Sequence, residues 1–351
     1  MAQKYLTSDP AKELDLTIEA LDTDKVLIVT DRNVEKLVLP TLKESAIVAT
    51  SPLISITPGE DGKTLDTVTQ IWQKLEETGA TRRSTIVNIG GGVVTDIGGF
   101  AAATYKRGIR TVNYPTTLLG AVDAATGGKT GINFNGLKNE IGSFHMPSRV
   151  IISGTPFMTL PEEEILSGYA EMIKTAFISD APFYMHLYDL EKICGNISEL
   201  GKGVEKCVQI KDEVVALDPN EKGLRKVLNL GHTAGHAFES LRIKKKKAVT
   251  HGKAVAHGML VALILSNIKL GFDSAEVNYY KNFLTNHYGS ALIVCEDTPA
   301  VIEKMNSDKK NRRFGEPSFT LLEKIGEPRY DIYPSQAEIK QALDIYIDMM
   351  G

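Results

Sequence analysis

The chain has 351 residues, 42% of them hydrophobic and 24% charged, a length that calls for two domains and a composition ordinary for a globular protein. Its formal net charge of -4 gives it no bulk attraction for nucleic acid or an anionic membrane, so an anionic ligand needs a local basic pocket. Three widely spaced cysteines, Cys194, Cys207 and Cys295, fit no disulfide framework and read as the reduced thiols of a cytosolic protein.

In chain order, Met1 to Asp15 has no apolar segment of signal-peptide length, and no apolar run is expected to span a bilayer. Lys25 to Thr30 is a short apolar run of the kind that makes a buried parallel strand. Thr64 to Thr78 carries Leu65, Val68, Ile71, Trp72 and Leu75 at helical spacing. Ser84 to Asn88 predicts a second buried strand; it runs into Gly90, Gly91 and Gly92, with a helix expected from Thr95. Strand, glycine turn and helix form the layout of a nucleotide-binding α/β unit. Near Leu160 the pattern changes. Pro161 followed by Glu162, Glu163 and Glu164 is a helix start, and helices are expected over 162–178, 196–216, 226–241, 252–269 and 335–349, interrupted by an extended piece from Ser318 to Leu322. The reading is an α/β domain over 1–160 and a mostly helical domain over 161–351, without repeats. The run Lys244 to Lys247 reads as a solvated loop.

Two kinds of chemistry are legible. Around the glycine turn, backbone can approach a pyrophosphate at a helix N-terminus, although Thr95 stands where a third spaced glycine would complete the usual fingerprint. On pattern alone, a ligand-free glycine turn fits as well. Pro58 to Lys63 sets Glu60 and Lys63 three apart, suited to ribose and phosphate or to a plain surface turn. In the second half, Glu171 and Lys174 are i,i+3 on a helix, which in isolation reads as a surface ion pair. His232 and His236 are i,i+4 and share a face, without the glutamate of a metalloprotease HExxH motif. His251 opens the next predicted helix, where it can meet His232; two histidines and a carboxylate with open positions make a catalytic zinc site. Lys129, Lys138, Asn139, Lys211, Arg225, Lys309 and Lys310 are candidates for binding phosphate or carboxylate. Gly127 to Thr130 is similar to the tail of a Walker A loop, but Asp123 occupies the leading glycine position, which excludes an ATPase reading.

Six segments stand in one order and spacing: 90–108 with its glycine triplet; Pro115 to Leu119 with Asp123 and Lys129; Lys138-Asn139; Ala170 to Lys174; Leu228 to His236; and His251 to Val255. Together they resemble the 3-dehydroquinate synthase family of the sugar phosphate cyclases over roughly residues 55 to 325, a group that shares its fold with the iron-type polyol dehydrogenases. The resemblance implies an NAD site from Glu60, Lys63, Gly91, Gly92, Asp96, Thr116, Thr117, Asp123 and Lys138, and a metal, zinc or cobalt, on Glu171, His232 and His251. It implies substrate contacts from Lys129, Asn139, Lys174, Lys211, Arg225, Asn229, His236, Lys309 and Lys310, with Lys129, His236, Lys174, Arg225 and Asn229 catalytic. Arg107 resembles an arginine that reaches the substrate phosphate of a neighbouring subunit, which implies a homodimer. The chain departs from the family pattern at Lys253, commonly glutamate, at Ala125, often serine, and at His257, usually apolar or aromatic.

The reaction implied converts 3-deoxy-D-arabino-heptulosonate 7-phosphate, a phosphorylated sugar acid, to 3-dehydroquinate and phosphate. The metal polarises the C5 hydroxyl, NAD takes the C5 hydride, and the new ketone acidifies C6 so that phosphate is eliminated. The hydride then returns, and ring opening and an aldol step close the carbocycle. A sister cyclase acting on another sugar phosphate, a plain NAD-dependent polyol dehydrogenase and a non-enzymatic nucleotide sensor are the competing readings.

Overall fold

The computed structural model describes residues 3–135, 137–307 and 316–351, which separate into two compact units. The first takes Met1–Pro161 with Ile197–Val208, and the second takes Glu162–Asn196 with Gln209–Gly351. The segment 197–208, expected in the helical domain, therefore belongs with the α/β unit, where the Ile197 side chain packs beside Gly154.

In the first unit the order is β1 (Gln3–Leu6), α1 (Pro10–Ala20), β2 (Val26–Asp31), α2 (Arg32–Leu37), α3 (Ala46–Thr50), β3 (Leu53–Ile56), α4 (Leu65–Glu77), β4 (Thr85–Gly90), α5 (Gly92–Thr104), β5 (Arg110–Pro115), β6 (Lys129–Phe134), β7 (Leu137–Phe144) and β8 (Arg149–Ile152). Six strands form one parallel sheet in the order β1-β8-β5-β4-β2-β3, while β6 and β7 make a separate antiparallel hairpin. The strands alternate their apolar side chains between two cores. Leu27, Val29 and Ile86 pack with α4 and α5, whereas Ile28, Val87 and Ile89 pack with α1 and α2. Helices thus cover both faces of a sheet whose order turns between β2 and β4, and in such sheets the ligand crevice lies beyond the carboxyl ends of those strands. The glycine turn follows β4, at that end.

The second unit comprises α6 (Glu162–Ser179), α7 (Ala181–Leu187), α8 (Leu190–Cys194), the C-terminal part of α9 (Ile197–Leu217), α10 (His232–Lys244), α11 (His251–Leu270), α12 (Ser274–Tyr288), α13 (Thr298–Asn306), β9 (Phe319–Lys324), β10 (Glu327–Ile332) and α14 (Gln336–Met350). Helix α11 is the axis of this unit, buried continuously from Ala254 to Ser266 and packed on α6, α10, α12, α14 and β9. Against expectation, α11 is long and apolar enough to cross a membrane; 72% of its apolar window is buried inside the protein, which makes it a core helix. The helix expected over 226–241 is broken in two: a 3-10 turn from Leu224 to Asn229, then α10 from His232. Gly231 breaks it. Its φ is +78°, and a Cβ there would lie 2.6 Å from Met259 Cγ and 2.8 Å from the Met259 nitrogen. Only glycine takes that conformation and that proximity at low cost.

Candidate functional site

The α/β unit gathers most of the predicted cofactor residues at the carboxyl end of its sheet. The glycine triplet does not precede its helix by three residues as expected: Gly91 is the N-cap and Gly92 the first residue of α5. No side chain caps that end, so the first amide groups of α5 stay available to an anion. A Cβ on Gly91 would stand 3.0 Å from Thr117 Cγ2, so backbone lines this space where a side chain would fill it. The Thr116 amide donates to the Gly90 carbonyl at 3.0 Å, which ties the β5 end to the glycine turn, and Thr117 Oγ1 accepts from the Gly120 amide at 3.0 Å within the loop that follows. Asp123 lies in a π-helical turn, Gly120–Ala124, a widening of the helix often met at functional sites.

Beside this turn the buried Lys63 ammonium donates to Asp96 Oδ2 and to Asn139 Oδ1, each at 2.5 Å. Asn133 joins the cluster by donating to Glu60 Oε2 at 2.8 Å and accepting the Asn139 amide at 2.9 Å. Burial pushes the Asp96 carboxyl above the ordinary carboxylate range, against the pull of Lys63, and the nearby charges of Glu60 and Asp123 push the same way. Glu60, Lys63, Asp96 and Asp123 thus form one electrostatic cluster. Asn139, expected at the substrate, is placed by its side chain on the Lys63–Asp96 pair. Lys129 and Lys138 lie exposed on the hairpin, and Gly127 to Thr130 leads into strand β6, not the helix a Walker loop requires.

The helical unit builds the second constellation. Glu171 and Lys174 are no surface pair. They are 1% and 2% exposed, on a stretch of α6 buried on every side from Ser167 to Ile178, and the ammonium holds Glu171 Oε2. Burying two charges costs several kcal/mol per ion before their attraction is counted, a cost that generic packing does not require. The second oxygen, Glu171 Oε1, is buried without a hydrogen-bond partner and stands 3.5 Å from His232 Nε2 and 3.8 Å from His251 Nε2. Ligand atoms about 2.0–2.2 Å from a tetrahedral zinc ion stand roughly 3.3–3.6 Å apart; the Glu171–His232 separation falls in that range and the Glu171–His251 separation lies just beyond it. His232 Nδ1 donates to the Leu230 carbonyl at 3.1 Å, which holds the proton there and leaves the Nε2 lone pair facing the site. His236 completes a triangle with His232 and His251, ring centroids 5.3 to 5.7 Å apart, with donor atoms all within 4.8 Å of one another. The three histidines are close enough to share one cation, and Glu171 Oε1 faces two of them, so these four residues are the ones that could hold a divalent metal.

This meeting depends on how closely α10 and α11 cross. A Cβ on Gly258 would fall 2.1 Å from the Gly231 carbonyl oxygen, so backbone meets backbone. Of the other predicted residues of this unit, Arg225 and Asn229 lie on the 3-10 turn before α10. Arg225 is buried and donates from Nη1 to the Pro219 carbonyl at 2.7 Å. Asp218 organises the same loop by accepting the amides of Lys222, Gly223 and Arg225; burial opposes its charge, and these three donors outweigh it and hold the carboxyl below its ordinary range. Asn229 Nδ2 donates to Glu221 Oε1 at 2.7 Å, and Lys211 is buried on α9. Lys309 and Lys310 lie outside the described residues. Two groups passed over in the sequence complete these clusters: Asn133, whose alternation in a hairpin strand was the available signal, and Glu239, three residues past His236 on one helical face.

An α/β unit with a nucleotide-type glycine turn, followed in one chain by a helical unit with a carboxylate–histidine cluster, is the layout of the dehydroquinate synthase-like fold. Within it, residues 53–167 match the 3-dehydroquinate synthase N-terminal family model and residues 168–311 the 3-dehydroquinate synthase C-terminal model. A 3-dehydroquinate synthase of Parabacteroides distasonis is 41% identical over 348 residues, spanning 99% of this chain and 98% of that protein. The chain belongs to the 3-dehydroquinate synthase family. Its fold is also that of two solved synthases at 24% identity. One is 2-epi-5-epi-valiolone synthase from Streptomyces hygroscopicus subsp. jinggangensis with NAD+ and Zn2+ bound, with a TM-score of 0.85 over 99% of this chain and 97% of that one. The other is 2-deoxy-scyllo-inosose synthase complexed with carbaglucose-6-phosphate, NAD+ and Co2+, with a TM-score of 0.83 over 97% and 95%.

Proposed function

We propose that this chain converts 3-deoxy-D-arabino-heptulosonate 7-phosphate to 3-dehydroquinate and phosphate in the cytosol, using NAD and a zinc or cobalt ion. The observation that carries the reading is the buried, partnerless Glu171 Oε1 aimed at the Nε2 atoms of His232 and His251. When bound, the metal supplies Lewis acidity at a hydroxyl, and NAD supplies a reversible hydride acceptor. The chain's own residues do the rest. The open amide end of α5 takes the cofactor pyrophosphate, and Gly91 and Gly92 let it approach. Lys63, fixed between Asp96 and Asn139, holds a positive charge beside that end.

Lys174, Lys211 and Arg225 are three buried cations of the helical unit, suited to a phosphate dianion and a carboxylate. Holding both ends of a flexible sugar acid removes orientational freedom before reaction, an effect that in favourable cases contributes roughly 7–11 kcal/mol. His236 serves to move a proton at the reacting hydroxyl, a role supported by its closeness to His232 and His251. Lys129 and Arg107 are assigned to substrate contacts as well, Arg107 across a homodimer.

The test is phosphate release from the heptulosonate phosphate with substoichiometric NAD while NADH absorbance is followed. Many phosphates per NAD with no net NADH is the expected result. NADH accumulating in step with substrate loss would make the protein a dehydrogenase. No release from this substrate, with turnover of another sugar phosphate, would make it a sister cyclase.

A further inference from the structure

We propose that Glu239 is a positioning residue for the metal centre: it holds the Nδ1 proton of His251 and so presents Nε2 to the ion. The proposal rests on the metal reading of Glu171, His232 and His251. Glu239 follows His232 by seven residues and His236 by three, so all three side chains lie on one stripe of α10. Its carboxylate is buried, and Oε2 stands 3.2 Å from His251 Nδ1. The His251 ring therefore spans two carboxylates, Glu239 at Nδ1 and Glu171 at Nε2, 3.8 Å away. A neutral imidazole has one N–H. An anionic acceptor at Nδ1 fixes that hydrogen there and leaves the Nε2 lone pair facing the site.

The two histidine ligands are supported differently. His232 gives its Nδ1 proton to a backbone carbonyl that mutation cannot remove, whereas His251 gives it to a charged side chain on the neighbouring helix. Glu239 thus does two things for His251. It sets the tautomer and raises the donor strength of the ring through its charge, and it ties the first residue of α11 to α10, on which His232 sits. Carboxylate support of this kind changes metal affinity by about 10–100-fold in other metal sites. Glu239 adds a second carboxylate beside His251, on the side of the ring opposite Glu171.

The experiment measures zinc affinity of the full-length apoprotein by chelator competition for the parent and for E239Q and E239A. The absorption bands of the cobalt-loaded proteins and the melting temperatures of the apo forms are recorded beside it. E239Q keeps shape and an acceptor oxygen but loses the charge. Zinc affinity is expected to fall about 10–100-fold, with altered cobalt bands, an apo melting temperature within a degree or two of the parent and unchanged NAD affinity. Zinc affinity within twofold of the parent, or a loss that merely tracks a lower apo melting temperature, overturns the role of Glu239. Should E239A fail to fold, E239Q alone decides. A parent protein that binds neither zinc nor cobalt refutes the metal reading itself, a result distinguishable from either outcome for Glu239.

Discussion

His257 has no exposed surface and sits in the middle of α11, with Tyr346 of α14 in hydrogen-bond contact at its Nδ1, 2.9 Å away. Burial pushes its pKa from 6.5 down to about 3, and the charges of Lys253 on α11 and Arg242 on α10 act the same way, opposed by the Tyr288 backbone on α12. The group is neutral when folded and takes a proton when unfolded. Its contribution is therefore complete above pH 6.5 and is lost as pH falls from 6.5 toward 3. At pH 4.5 the deficit amounts to about 2–3 kcal/mol, at 1.36 kcal/mol per unit. H257Q removes the titration and keeps an acceptor for Tyr346. Its stability by urea unfolding should fall less steeply than the parent's between pH 7 and pH 4.5; parallel curves would show that another group carries the acid sensitivity. Gly231 provides a second test at this scale. G231A places a Cβ at positive φ against Met259 and should cost about 2 kcal/mol or more, read as a lower urea midpoint. Because Gly231 caps the helix that begins at His232, zinc affinity should drop with it.

At the scale of elements, the hairpin of β9 and β10 holds the segment that carries Arg225, Asn229 and His232. Lys226 Nζ donates to both oxygens of Asp331, at 2.8 and 2.9 Å, Thr320 Oγ1 donates to the Lys226 carbonyl at 2.7 Å, and Thr233 Oγ1 donates to the Ser318 carbonyl at 2.8 Å. The segment is thus clamped on both sides of Asn229. D331A releases one clamp without touching a predicted ligand. KM for the sugar phosphate should rise several-fold, with zinc affinity and NAD affinity unchanged; an unaltered KM would leave the hairpin no part in holding Arg225. The sequence pointed to the extended run at Ser318 but not to its partner β10, where Pro328 and the charges of Glu327, Arg329 and Asp331 hide the alternation. The buried strands β2 and β4 were legible because parallel strands covered on both faces are apolar throughout. The surface-pair reading of Glu171 and Lys174 holds only for the pair in isolation; the apolar neighbours Ala170, Met172, Ile173 and Phe177, on all sides of α6, mark a buried helix. The histidine cluster was legible from helical spacing. The break at Gly231 was not, since glycine inside an apolar period reads equally as a tolerated helical residue or as a cap.

At the scale of the whole molecule, the remaining question is whether one chain makes a complete site. Arg107 is exposed and makes no hydrogen bond or ion pair among the described residues. It stands in a run of three left-handed residues, Lys106 at φ +49°, Arg107 at φ +67° and Gly108 at φ +117°. Two consecutive non-glycine residues in that region cost roughly 1–2 kcal/mol each, a strain that ordinary turns avoid. Such strain, at an arginine without a partner among the described residues, is the arrangement expected of a residue committed to a ligand elsewhere, and the family resemblance assigns it to the neighbouring subunit's substrate phosphate. A mixing experiment tests that assignment. R107A lacks the donated arginine but keeps its metal centre, and H251A lacks the metal centre but keeps the arginine, so each alone should be nearly inactive. If Arg107 acts across a two-fold interface, a mixed dimer contains one intact site, formed by the R107A metal centre and the H251A arginine. After denaturation and refolding of an equal mixture, half of the dimers are mixed with one good site of two, so activity should return to about a quarter of the parent's. If Arg107 instead served its own chain, both sites of every mixed dimer would stay damaged and the mixture would be as inactive as its parts. The unmixed variants, refolded in parallel, separate restored catalysis from simple refolding gains, and the size of the dimers by sedimentation verifies that exchange has occurred.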